Sequence, residues 1–327
     1  MASSVSAGVD VVVVSWNVRE ELAECLAALA ASEVAPAGVV VVDNASSDGS
    51  VEMVAARFPD ARVIPLRENH GFAVAANRGV HSGSAEYVLF LNPDAAVTPG
   101  AIGTMRERLA ALPSHAAVAP RLLGADGTPQ HSVHRFPSLG ISLLLALGLQ
   151  HLLPRRWGAA LLLEGAWDSA VERDVPWAIG AALLTRRATL AGIGGFDERL
   201  FLYAEDLEWC DRAARAGLRV RFVPSAEVVH HGDRSGAQLH RGDRVAAYMQ
   251  STLAFLRRRH GGAWTSAFVA INGGGTVARY GFYRAAGAAL GGRPWVQRGL
   301  AAWRPYARFY LRRNRGVRRP GYAGNNA

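Results

Sequence analysis

Two polar clusters follow apolar runs near the start of the chain, and their side chains suit a nucleoside. The first run ends in Ser15-Trp16-Asn17 and the second ends in Asp43. An aromatic side chain can stack on a base, and a carboxylate can accept a hydrogen bond from an imide or a ribose hydroxyl. Together they predict a nucleoside site. The alternative is that Trp16 belongs to the core and that Asp43 caps the following turn, a role that Asx residues often fill.

A third carboxylate, Asp94, stands in the sequence Leu-Asn-Pro-Asp after another apolar run. It could hold Mn²⁺ or Mg²⁺ against a diphosphate, because hard cations that bridge phosphates need few protein ligands. Asn-Pro-Asp is also a common turn sequence, so this motif carries little weight when it is taken alone.

The elements that must position these residues alternate between strand and helix patterns. Apolar runs predict strands at residues 9–15, 38–43, 62–66 and 87–91, and helical spacing predicts helices at residues 17–29, 51–58, 71–81 and 99–112. Such alternation predicts an α/β fold with a doubly wound, mainly parallel sheet. Ligands of these sheets bind at the carboxyl ends of the strands, where Ser15, Asp43 and Asp94 all fall.

The composition narrows the class of protein. The chain of 327 residues is half hydrophobic, which supports a sizeable core. Its two cysteines, Cys25 and Cys210, are too few for a disulfide framework, and the first residues lack a charged end followed by an apolar run, so we expect a reduced, cytoplasmic setting. The sequence has no Gly-Lys-Ser/Thr phosphate loop, no Gly-x-Gly-x-x-Gly after the first strand and no Gly-x-Ser-x-Gly elbow. Kinases, dehydrogenases and hydrolases therefore lose their best support.

Basic charge is concentrated at the C-terminal end. No Asp or Glu follows Asp243, whereas fifteen arginines lie in residues 244–327 and alternate with aromatic residues. This pattern predicts a helical, Arg-rich extension that lies on an anionic membrane surface. Guanidinium groups could also bind nucleic acid or an acceptor that carries a pyrophosphate. Residues 139–153 are apolar but shorter than the ~20 residues that span a bilayer, and they lie between Pro137 and Pro154, so they predict a core or interfacial helix.

Seven short motifs occur in an order that is hard to obtain by chance. They are Val14-Ser15-Trp16-Asn17, Asp43-Asn44-Ala45-Ser46-Ser47-Asp48-Gly49-Ser50, Asn69-His70-Gly71-Phe72-Ala73 with Asn77 and Gly79, Leu91-Asn92-Pro93-Asp94, Gly194-Gly195-Phe196-Asp197-Glu198, Tyr203-Ala204-Glu205-Asp206, and His230-His231-Gly232 with Ser235. Over about residues 9–260 the chain thus resembles the family 2 glycosyltransferases with the GT-A fold, especially the rhamnosyltransferase-like branch that builds bacterial surface polysaccharides. The resemblance implies a GT-A domain at residues 1–260 and a basic, aromatic, membrane-associating region at residues 261–327.

The resemblance also implies a role for each motif. It implies that the nucleotide sugar binds at Ser15, Trp16, Asn17, Asp43, Asn44, Gly71, Asn77 and Asn92, and that the acceptor lies beside Trp177, Gly180 and Glu205. It implies that Asp94 and His230 hold a divalent metal, and an imidazole suits Mn²⁺ better than Mg²⁺. The family's metal element is usually Asp-x-Asp, and Asn92 stands at its first acidic position, which leaves Asp94 as the only carboxylate of that element. A core position would also account for Trp177.

Asp206 resembles the second member of the family's acidic pair, which acts as the general base. A base within ~3 Å of the acceptor hydroxyl takes its proton during attack on the anomeric carbon, and attack opposite the departing nucleotide inverts that centre. An acidic first helical turn would also account for Glu205 and Asp206, because the helix dipole favours carboxylates there.

We therefore expect an inverting glycosyltransferase at the inner face of the cell membrane. Its donor would be a nucleotide diphosphate sugar, with dTDP-rhamnose as the first choice, and its acceptor a lipid-linked glycan or polysaccharide. One alternative is a protein that binds a nucleotide sugar without transferring it, which Asn92 makes conceivable. The other is a nucleic-acid-binding protein that uses the Arg-rich end, but this reading leaves Asp43, Asp94 and Asp206 unexplained.

Overall fold

The computed structural model describes residues 8–154, 169–232 and 244–312. They belong to two compact units, the first within Met1–Phe136 and Leu153–Gly242, the second within Pro137–Leu152 and Asp243–Ala327. Ser235 of the last predicted motif and residues 313–327 of the basic extension lie outside the described residues. The functional division at residue 260 stays a prediction.

The first unit contains a nine-stranded sheet within the described residues. The strands of this unit are β1 (Val9–Ser15), β2 (Gly38–Asp43), β3 (Arg62–Pro65), β4 (Tyr87–Leu91), β5 (Ala95–Val97), β6 (His115–Leu123), β7 (Val133–His134), β8 (Arg173–Val175), β9 (Trp177–Ala178), β10 (Ala182–Arg186) and β11 (Arg219–His230). The sheet order is β3-β2-β1-β4-β10-β6-β11-β5, β8 pairs with β11, and β7 and β9 form a separate pair. Strands β1 to β4 are parallel, as are β6 and β11, whereas β10 is antiparallel to both of its neighbours. The predicted mainly parallel α/β sheet is confirmed.

Helices pack beside these strands in the first unit. They are α1 (Arg19–Ala30), α2 (Ser50–Arg57), α3 (Phe72–Val80), α4 (Ala101–Ala110), α6 (Arg187–Ile193) and α7 (Glu205–Arg215). Every residue of β1 is buried, which explains why five of its seven residues are valine. Its one charge, Asp10, accepts hydrogen bonds from Arg187 Nη2 (2.6 Å) and from the Ala85 N–H (2.8 Å), so the buried carboxylate is compensated.

The second unit is helical. It contains α5 (Leu139–Ala146), a short 3-10 helix (Leu149–Leu152), α8 (Arg244–His260), α9 (Gly262–Leu290) and α10 (Pro294–Arg312). Gly275 lets α9 approach α5 closely, since a Cβ there would lie 2.8 Å from the Ala146 Cβ. Arg279 of α9 also stacks over the Trp303 ring of α10, 5.0 Å from its centroid. Of the helices within residues 8–154, 169–232 and 244–312, none has the length and apolar character that crossing a bilayer requires.

Candidate functional site

The predicted site residues of the first unit collect at one edge of the sheet. Ser15, Asp43 and Leu91 end the parallel strands β1, β2 and β4 there. Because β10 is antiparallel to β4, with Ala182 opposite Leu91, β10 begins at this edge. Strand β11 is parallel to β6 and therefore ends at the same edge with His230. The carboxyl edge that the sequence predicted thus receives loops from both halves of the sheet.

Two buried side-chain oxygens at this edge, Ser15 Oγ and Asp43 Oδ1, have no hydrogen-bond partner within the part of the chain that the structure describes. Ser15 and Asp43 are neighbours across β1 and β2, and both are almost fully buried. Asp43 Oδ2 accepts from the Ser46 N–H at 2.9 Å, whereas Asp43 Oδ1 and Ser15 Oγ have no hydrogen-bond partner among the residues that the structure describes. A buried carboxylate oxygen without a donor is costly. An imide N–H or a ribose hydroxyl would supply that donor, as the sequence predicted for a nucleoside.

The loop after β1 holds the loop after β2. The Asn17 N–H donates to Ser46 Oγ (3.0 Å), and Asn17 Oδ1 accepts from the Ser47 N–H (2.7 Å). Asn17 and Ala45 have positive φ angles of 52° and 66°, which side chains other than glycine rarely adopt. Trp16 is half-buried at the same edge. A direct contact of Asn17 or Trp16 with a nucleotide stays a prediction.

Asn44 and Gly71 build the loop that precedes α3. Asn44 is buried; its Oδ1 accepts from the His70 N–H (3.0 Å) and its Nδ2 donates to the Gly71 carbonyl (3.1 Å). Gly71 has a φ of 84°, and a Cβ there would lie 2.1 Å from the Phe201 carbonyl oxygen, which also accepts from the Phe72 N–H. Both predicted nucleotide residues therefore tie the loop before α3 to neighbouring segments, and their contact with a nucleotide stays a prediction.

Asn77 on α3 holds the Gly-Gly-Phe-Asp-Glu segment at residues 194–198. Its Oδ1 accepts from the Phe196 N–H, and its Nδ2 donates to the Phe196 carbonyl, each at 2.9 Å. The same Nδ2 lies 3.0 Å from Glu198 Oε1. Gly195 makes room for this amide, because a Cβ there would lie 2.3 Å from Asn77 Oδ1. The observed role of Asn77 is structural, and its binding to a nucleotide sugar stays a prediction.

A cavity of about 460 Å³ opens beyond the end of β3. It is lined by Pro65, Leu66, Arg67, Glu68, His70 and Arg78. The Leu66 N–H donates to the Asp43 carbonyl (2.8 Å), so one wall of the cavity continues directly from the candidate nucleoside site. The two guanidinium groups give this cavity a chemistry suited to an anionic group such as a phosphate.

Asp94 and His230 are brought together by β5 and β11. These strands pair antiparallel with His230 opposite Ala95, and the His231 N–H donates to the Asp94 carbonyl at 2.9 Å. Asp94 Oδ1 lies 3.5 Å from His230 Nε2, and both side chains are buried. Asn92 Nδ2 lies 3.4 Å from the same nitrogen. Two ligands that are each about 2.1 Å from one cation lie about 3 Å or more apart, so this carboxylate and imidazole are spaced to share an ion.

The described residues contain no group of three or more His, Cys, Asp or Glu side chains that could hold a metal. Asp94 and His230 would therefore be two protein ligands of an ion whose other ligands come from elsewhere. That donor set fits an ion completed by diphosphate oxygens and water, because Mg²⁺ and similar ions commonly retain water and bind substrate phosphates.

Gln130 contacts His230 but was not predicted from the sequence. Its Oε1 lies 3.0 Å from His230 Nδ1, and its Nε2 donates to the His230 carbonyl at 2.6 Å. Gln130 lies in the hairpin between β6 and β7, and only the pairing of β6 with β11 brings it to His230. No local motif marks such a residue, so the sequence held no signal that could have identified it.

The carboxylate of Asp206, in the first turn of α7, is held by two backbone amides. Asp206 Oδ2 accepts from the Gly180 N–H (2.8 Å) and Oδ1 from the Leu207 N–H (2.7 Å). Desolvation of the carboxylate raises the pKa of Asp206 to about 6, whereas these two hydrogen bonds act in the opposite direction and lower it. Part of the residue is nevertheless exposed to solvent. Tyr203 and Ala204, just before α7, have positive φ angles of 68° and 65°. Each of these strained residues costs about 1–3 kcal/mol. The turn that they form places a carboxylate whose pKa suits a general base.

The predicted acceptor residues adjoin this base. Trp177 is buried on β9; its indole N–H donates to the Arg135 carbonyl (3.0 Å), and its ring stacks on His134 with centroids 4.7 Å apart. Burial lowers the pKa of His134 to about 4, so this ring is neutral near pH 7. Glu205 is also buried and directly precedes Asp206. Contact of Trp177, Gly180 or Glu205 with an acceptor stays a prediction.

A short backbone link joins the metal candidates to the base. The Asn92 N–H donates to the Ala181 carbonyl (2.9 Å), and the preceding residue, Gly180, donates its N–H to Asp206. The end of β4 and the start of α7 are therefore tied through two consecutive residues. This link ties Asn92, two residues before Asp94, to the segment that holds the candidate base.

Comparison with known proteins identifies the family of this chain. The model of glycosyl transferase family 2 matches residues 10–164. An N-acetylglucosaminyl-diphospho-decaprenol L-rhamnosyltransferase from Mycobacterium tuberculosis is 35% identical over 266 residues, which cover 78% of this chain and 85% of that protein. The chain belongs to glycosyltransferase family 2.

A further relative and a solved structure are also similar to this chain. Rhamnosyltransferase WbbL of Escherichia coli is 25% identical over 180 residues, which cover 53% of this family 2 chain and 62% of that protein. The mannosyltransferase PcManGT from Pyrobaculum calidifontis, solved in complex with GDP-Man and Mn²⁺, shares the fold with a TM-score of 0.54 at 20% identity, over 94% of this chain and 85% of that one. The predicted family, GT-A fold class and glycosyltransferase activity are confirmed.

Proposed function

We propose that this glycosyltransferase moves rhamnose from dTDP-rhamnose, with inversion, to a lipid-linked acceptor in the assembly of a cell-envelope glycan. The observation that carries the proposal is the common position of three groups at the carboxyl edge of the sheet: the unpartnered Asp43 Oδ1, the Asp94–His230 pair and Asp206. The choice of sugar and acceptor is supported by the relative from Mycobacterium tuberculosis, whose name specifies rhamnosyl transfer to a diphosphate-linked decaprenol.

The donor end of the site would bind the nucleotide by hydrogen bonding and stacking. Asp43 Oδ1 would accept from the base imide or the deoxyribose hydroxyl, Ser15 Oγ would face the same ligand, and Trp16 would stack on the base. Asp94 and His230 would hold Mn²⁺ or Mg²⁺. When bound, the ion neutralises the charge that grows on the leaving diphosphate.

Asp206 would take the proton of the acceptor hydroxyl. Its pKa of about 6 leaves the carboxylate ionised at neutral pH and basic enough to accept that proton. The Gly180 and Leu207 amides fix its two oxygens, so the base does not rotate away from the acceptor. Attack from the side opposite the nucleotide inverts the anomeric centre without a covalent enzyme intermediate.

The test is sugar transfer by the purified full chain, with dTDP-rhamnose, UDP-sugars and GDP-sugars as donors and a short polyprenyl-diphosphate N-acetylglucosamine as acceptor. Asp206→Asn should lower kcat by about 10²–10⁴-fold while dTDP binding stays unchanged, because general-base catalysis contributes that much. Asp211→Asn is the matched control: it removes another buried carboxylate of α7, paired with Arg215 at 3.0 Å, and should keep its activity. Full activity in Asp206→Asn would refute the base, and dTDP-rhamnose binding without turnover would identify a non-catalytic binder.

The helical second unit supports a proposal for where the enzyme works, at the anionic cytoplasmic face of the membrane. Its described residues 244–312 carry eleven arginines and no Asp or Glu. Four exposed leucines lie in α5, the 3-10 helix and the turn between them: Leu143, Leu147, Leu149 and Leu152. Clustered cations attract acidic headgroups by about 1 kcal/mol each near the surface, and aliphatic side chains gain free energy on entering the lipid boundary.

Sedimentation with vesicles tests this docking. The full chain should bind vesicles that contain phosphatidylglycerol more tightly than neutral ones, and added salt should weaken the binding. Substituting Leu147 and Leu152 together by Ser should reduce binding, whereas Val171→Ser, which removes an exposed aliphatic side chain of the first unit, should not. Deleting residues 261–327 should also reduce it, and unchanged binding in both altered chains would end the membrane proposal.

A further inference from the structure

The side chain of Gln130 contacts His230 through both of its amide atoms. Its Nε2 lies 2.6 Å from the His230 carbonyl oxygen, and its Oε1 lies 3.0 Å from His230 Nδ1. One amide therefore contacts both the backbone and the ring of the residue that ends β11. The hairpin that carries Gln130 is itself tied down, since the Gln130 N–H donates to the Leu122 carbonyl (2.8 Å).

For a neutral His230 ring, the form that can bind a metal, these contacts leave one consistent arrangement of hydrogens. A backbone carbonyl can only accept a hydrogen bond, so the amide atom facing the His230 carbonyl must be the NH₂ group. The oxygen of the Gln130 amide must then face His230 Nδ1. Because that oxygen also only accepts, Nδ1 must carry the proton. The backbone carbonyl thus determines, through the glutamine, which ring nitrogen of the histidine is protonated.

The other ring nitrogen is left with its lone pair. In a neutral imidazole with Nδ1–H, Nε2 is an acceptor and a metal ligand. This nitrogen lies 3.5 Å from Asp94 Oδ1, also an electron-pair donor. Asn92 Nδ2 lies 3.4 Å from Nε2, a long distance for a hydrogen bond. Two donors of electron pairs that face each other at this spacing form an arrangement that a cation between them would complete.

We propose that Gln130 is a positioning residue that holds His230 as the Nδ1–H tautomer and directs Nε2 toward a divalent cation shared with Asp94. The inference rests on the proposed metal role of these two side chains. Gln130 does not touch the cation; it orients a ligand from behind, and the loss of such a partner typically lowers metal affinity by about 10–100-fold. The competing reading is that Gln130 merely fastens the hairpin to the end of β11.

Three variants separate these readings. Gln130→Met keeps the length of the side chain but can neither donate to the carbonyl nor accept from Nδ1. Gln130→Glu keeps an acceptor for the Nδ1–H but replaces the donor facing the His230 carbonyl with a second, negatively charged acceptor. Thr128→Val loosens the same hairpin by removing the bond from Thr128 Oγ1 to Asp126 Oδ1 (2.6 Å), which does not involve His230.

Two measurements on the full chain supply the test. The tautomer is read by NMR on protein with isotope-labelled histidine nitrogens, and the His230 signal is assigned by its absence from His230→Gln. Mn²⁺ affinity is measured by the loss of the free-ion EPR signal, with dTDP present. We expect Nδ1–H in the wild type and in Gln130→Glu. In Gln130→Met we expect a shift toward Nε2–H and Mn²⁺ binding that is weaker by about 10–100-fold. Thr128→Val should match the wild type.

Wild-type Mn²⁺ affinity and an unchanged tautomer in Gln130→Met would overturn the role of Gln130 and leave the proposed metal site intact. Equal weakening in Thr128→Val would overturn it as well, because hairpin stability would then explain the loss. A wild-type chain that binds no Mn²⁺ in the presence of dTDP would overturn the metal role of His230 together with this inference.

Discussion

Sugar transfer should fall steeply below pH 6, because the acceptor proton must pass to an ionised Asp206. Desolvation by burial raises the pKa of this carboxyl from 3.8 to about 6. The ionised form is therefore lost as the pH falls through about 6, two units above the range of an ordinary aspartate. About nine-tenths of the base is ionised at pH 7 and just under one-tenth at pH 5, so kcat/KM should drop about tenfold between them and about tenfold for each further unit.

The assay is the initial rate of dTDP release at low donor concentration, from about pH 4.5 to pH 8, with saturating Mn²⁺. Calorimetric titration with dTDP over the same range separates loss of donor binding from loss of the base. Asp206→Asn should lose the acid limb along with most of its activity. An inflection near pH 4 in the wild type, or an acid limb that persists in Asp206→Asn, would refute the assignment.

Gly180→Ala is the matched control for this profile. A Cβ at residue 180 would lie 3.5 Å from the Asp206 Cβ, which is ordinary van der Waals contact, and the backbone N–H that holds Asp206 Oδ2 remains. We therefore expect the inflection to stay near pH 6. A shift toward pH 4 would mean that burial does not set the pKa of the base.

Asp43→Asn should weaken dTDP binding by about 1.5–3 kcal/mol in a calorimetric titration, because the unpartnered charged oxygen is the acceptor offered to the nucleoside; unchanged affinity would remove Asp43 from the nucleotide site. Gly71→Ala should lower the free energy of unfolding by more than about 3 kcal/mol, since its Cβ would lie 2.1 Å from a backbone oxygen and its φ is 84°. Gly127→Ala is its control in denaturant unfolding: it has a φ of 77° with open space around it, so only about 1–2 kcal/mol should be lost, and an equal loss in both variants would contradict the steric argument.

The first half of the fold could be predicted because buried parallel strands have continuous apolar sequences. The runs at residues 9–15, 38–43 and 87–91 correspond to β1, β2 and β4, and their ends bring the predicted carboxylates to one edge. Strand β11, in the second half of the sheet, gave no such signal. Strand β11 contains Pro224, which lies in a register shift between Val223 and Glu227 against β6. A proline at a bulge interrupts the pattern of a central strand, although the strand itself continues.

That irregular half is the part that completes the site. Strand β10 leads from Gly180, which holds the base, and β11 delivers His230 to Asp94. The sequence could name these residues through the order of motifs, but it could not show that they meet the nucleotide end. Their meeting depends on an antiparallel strand between β4 and β6 and on the pairing of β6 with β11, which are contacts between residues far apart in the chain.

The predicted nucleotide residues of these motifs differ in whether the protein itself satisfies their hydrogen bonds. The side-chain amides of Asn44 and Asn77 both donate and accept hydrogen bonds with nearby backbone groups, so each residue has a structural role. Asp43 Oδ1 and Ser15 Oγ are fully buried but have no partner among the described residues, so they are the polar atoms that a ligand would satisfy. Folding tolerates an unsatisfied buried acceptor only at a cost, which a bound nucleotide would offset. Residue types alone cannot make this distinction, because asparagine and aspartate suit both roles, and only the positions of their neighbours decide between them.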